Sequence, residues 1–317
     1  MESGRGQRHT PHGSVRAVNT AAGHRAAKPP ARRLAIQVVV AVSIIIAGGL
    51  MLVRSMQDRL MFSSRHPATS QGAGGVRMTY ETADQQPVYA FAVEPAAAAG
   101  NAPSPGLVHR VVLAFHGYSD IAGSWIPWAQ EVASRTGWPV VLAEYRGYGG
   151  LSGAPDADAM MRDARAALSA TTARYKVDAS NVTLFGHALG SGVATQLASE
   201  RRVRAVVLEA PMSSLKALSR RAFSPPLSWM LSLVSRNEFA PAEGVRTVAV
   251  PVWVAAGERD RLIPPAMARK VFDAARVRGE FLLVPGASHG SLSERGGADY
   301  WAWLTRALGA ADSSQAN

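Results

Sequence analysis

The stretch that most constrains the fold runs from Val182 to Gly192 and reads VTLFGHALGSG. An apolar run leads into a tight turn that begins and ends on glycine, and small residues suited to a helix follow. Glycines at both ends of such a turn let a strand and the next helix approach closely around one strained residue. In a nucleophile elbow, G-x-S-x-G, that central residue is a serine. Here it is Ala188, so the sequence predicts the architecture of a nucleophilic site without the atom that attacks.

Apolar runs alternate with helical segments along most of the chain, and this alternation predicts the fold class. Buried strands joined by helices of ten to twenty residues form a mostly parallel sheet with helices on both faces. The sequence therefore predicts an α/β domain over residues 54–317. The predicted strands are Val76–Thr82, Val88–Val93, Arg110–Phe115, Val140–Ala143, Val182–Phe185, Val203–Leu208, Val252–Ala255 and Phe281–Val284.

One segment interrupts this alternation and is predicted to form a cap. It spans about residues 212–246, and its Ser224–Pro226 stretch precedes an apolar cluster around Trp229. We expect a small helical insertion over the carboxyl edge of the sheet. The apolar cluster fits packing of that cap, and an acyl-chain wall is the alternative.

The amino-terminal segment predicts a membrane anchor. Residues 1–33 hold seven basic residues and one acid, with no apolar period, and are predicted to be a disordered basic tail. Residues 34–53 carry no charge and are long enough to cross a membrane as a helix. A cleaved signal peptide is the alternative, although the segment lacks a small-x-small cleavage site. The basic side is expected to be cytoplasmic, with the folded domain on the opposite, extracytoplasmic side.

Several function classes are excluded or disfavoured by composition. The chain contains no cysteine, so it has neither disulfides nor a thiolate nucleophile. The net charge of +11 is concentrated in the tail beside the predicted anchor, which favours membrane association over nucleic-acid binding. A phosphate-loop pattern is absent despite Gly147, Gly149, Gly150 and Gly153. Neither a cofactor nor a metal site is predicted, because no metal-ligand spacing accompanies the histidines.

Six motifs follow predicted strands in a fixed order: HGYSD, EYRGYGGLSG, GHALGSG, LEAP, GERDRLIP and GASHGSL. In this order and placement the chain, from about Arg54 to its end, resembles the alpha/beta-hydrolase superfamily. The nearest resemblance is to its small single-pass membrane branch, the alpha/beta-hydrolase-domain and bud-emergence-type proteins. The resemblance implies an esterase or lipase-type reaction on a small-molecule or lipid-derived acyl ester, with no cofactor.

The resemblance also implies a set of site residues. It assigns Ala188 to the nucleophile position, Asp260 to the acid and His289 to the base, in the chain order of this superfamily. The oxyanion hole would come from the backbone N–H groups of Tyr118 and Leu189. Because these donors belong to the main chain, an alanine at the elbow leaves them in place.

Each assignment has a plainer alternative. Asp260 is also a suitable cap for a helix that begins near Pro264, and His289 alone would be an ordinary loop histidine. His116 and His187 are expected to shape their loops. Ser191 lies three residues beyond the elbow tip and should point away from it.

Three hypotheses follow from the alanine. The chain is a serine-hydrolase scaffold that is nearly inactive, or a ligand-binding or scaffolding protein that uses the preserved pocket, or an inactivated variant of an active enzyme.

Overall fold

A computed structural model describes residues 31–62, 74–95, 109–222 and 239–309. The amino-terminal tail up to residue 30 and the centre of the predicted cap, residues 223–238, lie outside the described residues. The disordered tail and the complete cap therefore stay predictions.

Eight strands form one sheet in the order β1-β2-β4-β3-β5-β6-β7-β8. The pairs β1–β2 and β2–β4 are antiparallel, and all the other neighbours are parallel. This confirms the mostly parallel α/β fold. The strands are β1 Val76–Glu81, β2 Pro87–Val93, β3 Val111–Phe115, β4 Val140–Ala143, β5 Val182–His187, β6 Ala205–Glu209, β7 Val252–Gly257 and β8 Arg278–Val284.

The helices of the folded domain connect these strands. A short 3-10 turn, Ala122–Trp125, precedes the second helix. The described helices are α1 Ala31–Phe62, α2 Ile126–Thr136, α3 Ala157–Tyr175, α4 Gly190–Glu200, α5 Leu215–Ala222, α6 Pro241–Gly244, α7 Pro265–Ala274 and α8 Leu292–Gly309, which is kinked at Gly297.

Apolar side chains fill both faces of the sheet. One core includes buried residues of α3, α4 and α7, and the other includes buried residues of α2 and α8. One face of α3 is buried and apolar, and the Asp156 side chain caps this helix by accepting a hydrogen bond from the Ala159 amide at 2.7 Å. Helices on both faces explain why β3 to β7 are continuous apolar runs in the sequence.

The last strand starts earlier than the sequence indicated. β8 begins at Arg278 rather than Phe281, and its first residues are exposed or half-buried. β8 is an edge strand, so one of its sides has no neighbouring strand. Its pairing with β7 begins at Arg278, in polar sequence that shows no apolar pattern. Hydrophobic pattern alone detects only its buried end.

The amino-terminal helix, considered by itself, is longer than the predicted anchor. α1 begins at Ala31 and ends at Phe62, and its segment Arg32–Gly49 is long and apolar enough to cross a membrane. Large apolar side chains along this segment are exposed, among them Ile44 and Ile45. The helix continues past residue 53 because residues 54–62 contain neither proline nor glycine, the two residues least favourable in a helix.

A buried arginine joins three parts of the domain. Arg146, in the loop after β4, donates to Asp163 of α3 at 2.6 and 2.9 Å and to Asp84 of the β1–β2 turn at 2.7 and 3.0 Å. The side chains of Arg146 and Asp163 are 7% and 1% exposed. The hydrogen bonds from Arg146 hold the pKa of the Asp84 carboxyl well below its usual range. This ion pair network fixes the antiparallel hairpin to the parallel part of the sheet.

Replacing one partner of this network tests its contribution to stability. We expect Asp163→Asn to lower the free energy of unfolding by about 3 kcal/mol, because it leaves the buried Arg146 guanidinium short of a counter-charge. Urea denaturation of the full-length protein in detergent measures the change.

The matched control is Glu131→Gln, which removes the exposed Glu131–Arg135 pair at 2.6 Å. That variant should change the free energy of unfolding by less than about 0.5 kcal/mol. Equal effects of the two substitutions would show that burial does not give the Arg146 network a special role.

Candidate active site

A cavity of about 570 Å³ lies where the loops that follow several parallel strands meet. Four of the five predicted site residues line it: Tyr118, Ala188, Leu189 and His289. The fifth, Asp260, is buried behind His289 and is hydrogen-bonded to it. Ligands in open α/β sheets bind at this carboxyl edge. The fold thus brings all five residues to one place.

The elbow forms fully with an alanine at its tip. Ala188 lies between β5 and α4 and has φ +49°, a left-handed conformation that is strained for a residue with a side chain. Its amide donates to the Glu209 carbonyl at 3.0 Å, which holds the turn against β6. A Cβ built on Gly186 would lie 2.5 Å from the Gly190 carbonyl oxygen, so the close approach requires glycine there.

The two carboxylate oxygens of Asp260 contact different groups. Oδ2 lies 2.7 Å from Nδ1 of His289, and Oδ1 accepts hydrogen bonds from the backbone amides of Leu262 and Ile263 at 2.9 and 2.8 Å. The Asp260 side chain is fully buried, whereas His289 remains partly exposed to the cavity. The turn-capping role and the histidine contact, weighed as alternatives in the sequence, therefore coexist. With Nδ1 donating to Asp260, Nε2 of His289 is left for the cavity.

The buried side chain of His116 stabilises the loop after β3. His116 contacts the Gly117 carbonyl through Nδ1 at 2.8 Å and Glu144 through Nε2 at 2.7 Å. Burial by itself lowers the pKa of His116, but the adjacent Glu144 carboxylate and these hydrogen bonds outweigh it and raise the pKa. Since both partners are acceptors, the ring donates from both nitrogens as an imidazolium.

The backbone donors assigned to the oxyanion hole are available. Within the described part of the chain, the amides of Tyr118 and Leu189 donate to no carbonyl or side chain. Both residues line the cavity beside Ala188. Leu189 immediately precedes α4, so the positive end of that helix also faces this region.

A second histidine–carboxylate pair lines the same cavity. His187 contacts Glu209 at 3.0 Å, and the other Glu209 oxygen accepts from the Tyr300 hydroxyl at 2.5 Å. Trp128 in turn donates to the Tyr300 oxygen at 3.1 Å. Burial and the Glu209 carboxylate raise the pKa of Tyr300 well above its usual value, so this phenol stays protonated. The ring centroids of His187 and His289 are 5.1 Å apart.

Glu144 and Glu209 are site residues to which the sequence motifs assigned no role. Both are acidic residues at the carboxyl ends of buried strands, in EYRGYGGLSG and LEAP. A charged residue at the end of an otherwise apolar strand needs a partner, and this signal was present in the sequence. The contact of Tyr300 with Glu209 depends on the path of α8, which the sequence does not specify.

The serines near the elbow occupy different environments. Ser191 is fully buried, and its hydroxyl donates to the Ala188 carbonyl at 2.5 Å, so it does not line the cavity. Ser119, Ser124 and Ser293 do line the cavity. The described residues contain no group of three histidine, aspartate or glutamate side chains arranged to hold a metal ion.

Comparisons with known proteins agree with this fold. The sequence model of the family described as Serine aminopeptidase, S33, matches residues 107–242. The protein named Uncharacterized protein Rv2307c, from Mycobacterium tuberculosis, is 29% identical over 269 residues, covering 80% of this chain and 88% of its own. Lysophosphatidylserine lipase ABHD12 of Danio rerio is 28% identical over 183 residues, which cover 53% of this chain and 47% of that protein. The chain thus matches about half the length of that lipase.

Solved structures give the same fold. An esterase of Pyrococcus furiosus superposes with a TM-score of 0.61 at 16% identity, covering 78% of this chain and 98% of the esterase. An acetyl xylan esterase from Paenibacillus gives a TM-score of 0.58 at 19% identity, with 74% and 83% covered. At these identities the likeness concerns the fold.

The motif order, the parallel sheet with its elbow and the likeness to these relatives point to one family. The chain has the alpha/beta-hydrolase fold of serine-hydrolase-type esterases and lipases, and its sequence is similar to members of that superfamily.

Proposed function

We propose that this protein is a membrane-anchored serine-hydrolase scaffold for acyl esters that is catalytically impaired because alanine occupies the nucleophile position. The observation that carries the proposal is the arrangement around Ala188. A carboxylate–imidazole pair at 2.7 Å and two available backbone amides surround a methyl group at a strained elbow. Such an arrangement suits acyl transfer, with a hydroxyl missing.

A serine at position 188 would supply the nucleophile for ester hydrolysis through an acyl-enzyme. Its oxygen would attack the ester carbonyl while Nε2 of His289 accepts its proton, and the amides of Tyr118 and Leu189 would stabilise the oxyanion. His289 would then return the proton to the departing alkoxide, leaving an acyl-enzyme. Water, deprotonated by the same imidazole, would release the acid and restore the serine. Asp260 would hold the imidazole in the required tautomer.

The methyl of Ala188 prevents the first step of this reaction. It can neither donate a proton nor form an acyl bond, so hydrolysis is limited to direct attack by water. Loss of the nucleophile in a well-studied serine protease lowers turnover by about a millionfold. Substrate contacts with the rest of the cavity do not depend on that oxygen.

A second function, ligand binding without turnover, is favoured by the intact cavity. The cavity has the size usual for small-molecule sites, about 300–1,000 Å³. Its apolar wall includes Leu215, Leu218 and Ile263, and its polar side includes the Asp260–His289 pair. A protein with this pocket would retain an acyl ligand at the membrane rather than cleave it.

The charge-free helical segment supports membrane attachment as part of the proposal. α1 contains a stretch long enough to span the hydrocarbon core, preceded by a strongly basic tail. The positive-inside rule orients the tail toward the cytoplasm and the hydrolase-fold domain toward the opposite side. Lipid-derived esters at the membrane are therefore the proposed substrates of the domain.

Restoring the hydroxyl tests the proposed chemistry. We expect Ala188→Ser to raise kcat/KM for a short neutral acyl ester, such as p-nitrophenyl butyrate, by at least about a thousandfold over the unmodified protein. The variant should also become labelled by a fluorophosphonate probe at the introduced serine. Stopped-flow hydrolysis assays and mass spectrometry of the labelled peptide measure these outcomes.

Two further variants make the test specific. Asp260→Asn in the Ala188→Ser background should lower kcat by about 10⁴-fold, as expected for an imidazole held in the wrong tautomer. Ser191→Ala in the same background should leave labelling unchanged. Absence of both hydrolysis and labelling in Ala188→Ser would refute the triad assignment.

Removal of the amino-terminal segment tests the anchor. We expect deletion of residues 1–53 to move the protein from the carbonate-resistant membrane fraction to the soluble fraction, because the spanning stretch is lost. A control that deletes only residues 1–30 should remain in the membrane fraction. Soluble full-length protein after carbonate treatment would contradict integral anchoring.

A further inference from the structure

The charged groups around the cavity are unevenly distributed. Among the described residues that line it, none is lysine or arginine, whereas Asp120 and Glu209 are both present. A third carboxylate, Asp260, lies immediately behind His289. The described wall therefore combines carboxylates with histidines and no permanent cation.

Two of these three carboxylates already have histidine partners. Asp260 contacts His289, and Glu209 contacts His187 and accepts from Tyr300. In the described residues, the Asp120 carboxylate takes part in no hydrogen bond or ion pair. The nearby His116 is hydrogen-bonded to Glu144 at 2.7 Å, and the negative charge of Asp120 helps to raise the pKa of this histidine without a hydrogen bond between the two side chains. Asp120 is thus the acidic group left to interact with a ligand.

The position of Asp120 places this charge next to the elbow. A Cβ built on Gly117 would lie 3.1 Å from Oδ2 of Asp120 and 3.4 Å from the Ala188 Cβ. The Asp120 carboxylate and the Ala188 methyl therefore both lie close to Gly117, in the loop after β3. The half-buried carboxylate of Asp120 and the elbow tip Ala188 therefore line the same cavity.

We propose that the cavity selects ligands that carry a protonated amine, with Asp120 as the group that binds the ammonium. A partly buried carboxylate that no described side chain hydrogen-bonds attracts a cation and repels an anion, and charge-assisted hydrogen bonds are about twice as strong as neutral ones. Leu215, Leu218 and Ile263 on the apolar wall accommodate an aliphatic chain. The ligand class is an amphiphilic amine, or an acyl ester that contains one.

This inference rests on the cavity of the proposed function and adds the charge of its ligand. It does not depend on the alanine, because Asp120 and the apolar wall are outside the nucleophile, acid and base positions. Binding by the unmodified protein therefore tests it, whereas hydrolysis of a neutral ester by Ala188→Ser tests the proposed reaction. Either result can fail while the other holds.

Three ligands of equal chain length separate charge from apolar contact. Isothermal titration calorimetry of the full-length protein in detergent, with the heat for empty micelles subtracted, would compare hexylamine, 1-hexanol and hexanoate at pH 7.5. An alkyl amine is protonated at this pH, as a lysine side chain is. We expect hexylamine to bind at least about tenfold more tightly than 1-hexanol, and hexanoate to bind most weakly. Hexanoate binding as tight as hexylamine, or no binding of hexylamine, overturns the proposal.

Substitution of the acidic group then assigns the effect to one residue. Asp120→Asn should remove the preference for hexylamine over 1-hexanol while leaving 1-hexanol binding unchanged. Glu131→Gln, which removes an exposed carboxylate of α2 outside the cavity, should leave the preference intact. A preference that survives in Asp120→Asn would contradict the assignment. Should that variant not fold, the order of the three ligands in the unmodified protein still decides the proposal.

Discussion

The tight turn between β5 and α4 is the constraint on which the rest of the site depends. Its backbone holds Ala188 in a left-handed conformation, and glycine at Gly186 lets strand and helix come together. The turn does not require a serine side chain, because it is held by close backbone approach and by the hydrogen bond that the Ala188 amide donates to the Glu209 carbonyl. The elbow can therefore form with alanine at its tip.

Around that turn, polar groups occur at the carboxyl ends of buried strands and stabilise one another in pairs. His289 is held by Asp260, His187 by Glu209, and the loop at Gly117 is braced by His116 on Glu144. Burial makes each unpaired member costly, so the pairs rigidify the loops that form the cavity. The Asp120 carboxylate is outside this pattern and faces the space where a ligand would bind.

The sequence predicted the fold well because buried parallel strands are uninterrupted apolar runs and because their order limits the topology. It also indicated which loops meet, since each motif follows a strand. The start of β8 was misplaced because an edge strand is only partly buried. The Glu209–Tyr300 contact was not predicted either, because it depends on how a kinked helix packs 91 residues later. The roles of the five assigned site residues remain predictions that rest on geometry.

The loops carrying Tyr118, Leu189 and His289 surround the elbow tip, and we propose that this geometry supports acyl transfer. The most direct measurement is a crystal structure of the Ala188→Ser variant after reaction with a fluorophosphonate. The account predicts a phosphorus bonded to the introduced serine, a phosphonyl oxygen within about 3 Å of the Tyr118 and Leu189 amides, and Nε2 of His289 beside the adduct. An adduct on a different serine, or an oxygen that contacts neither amide, would contradict it.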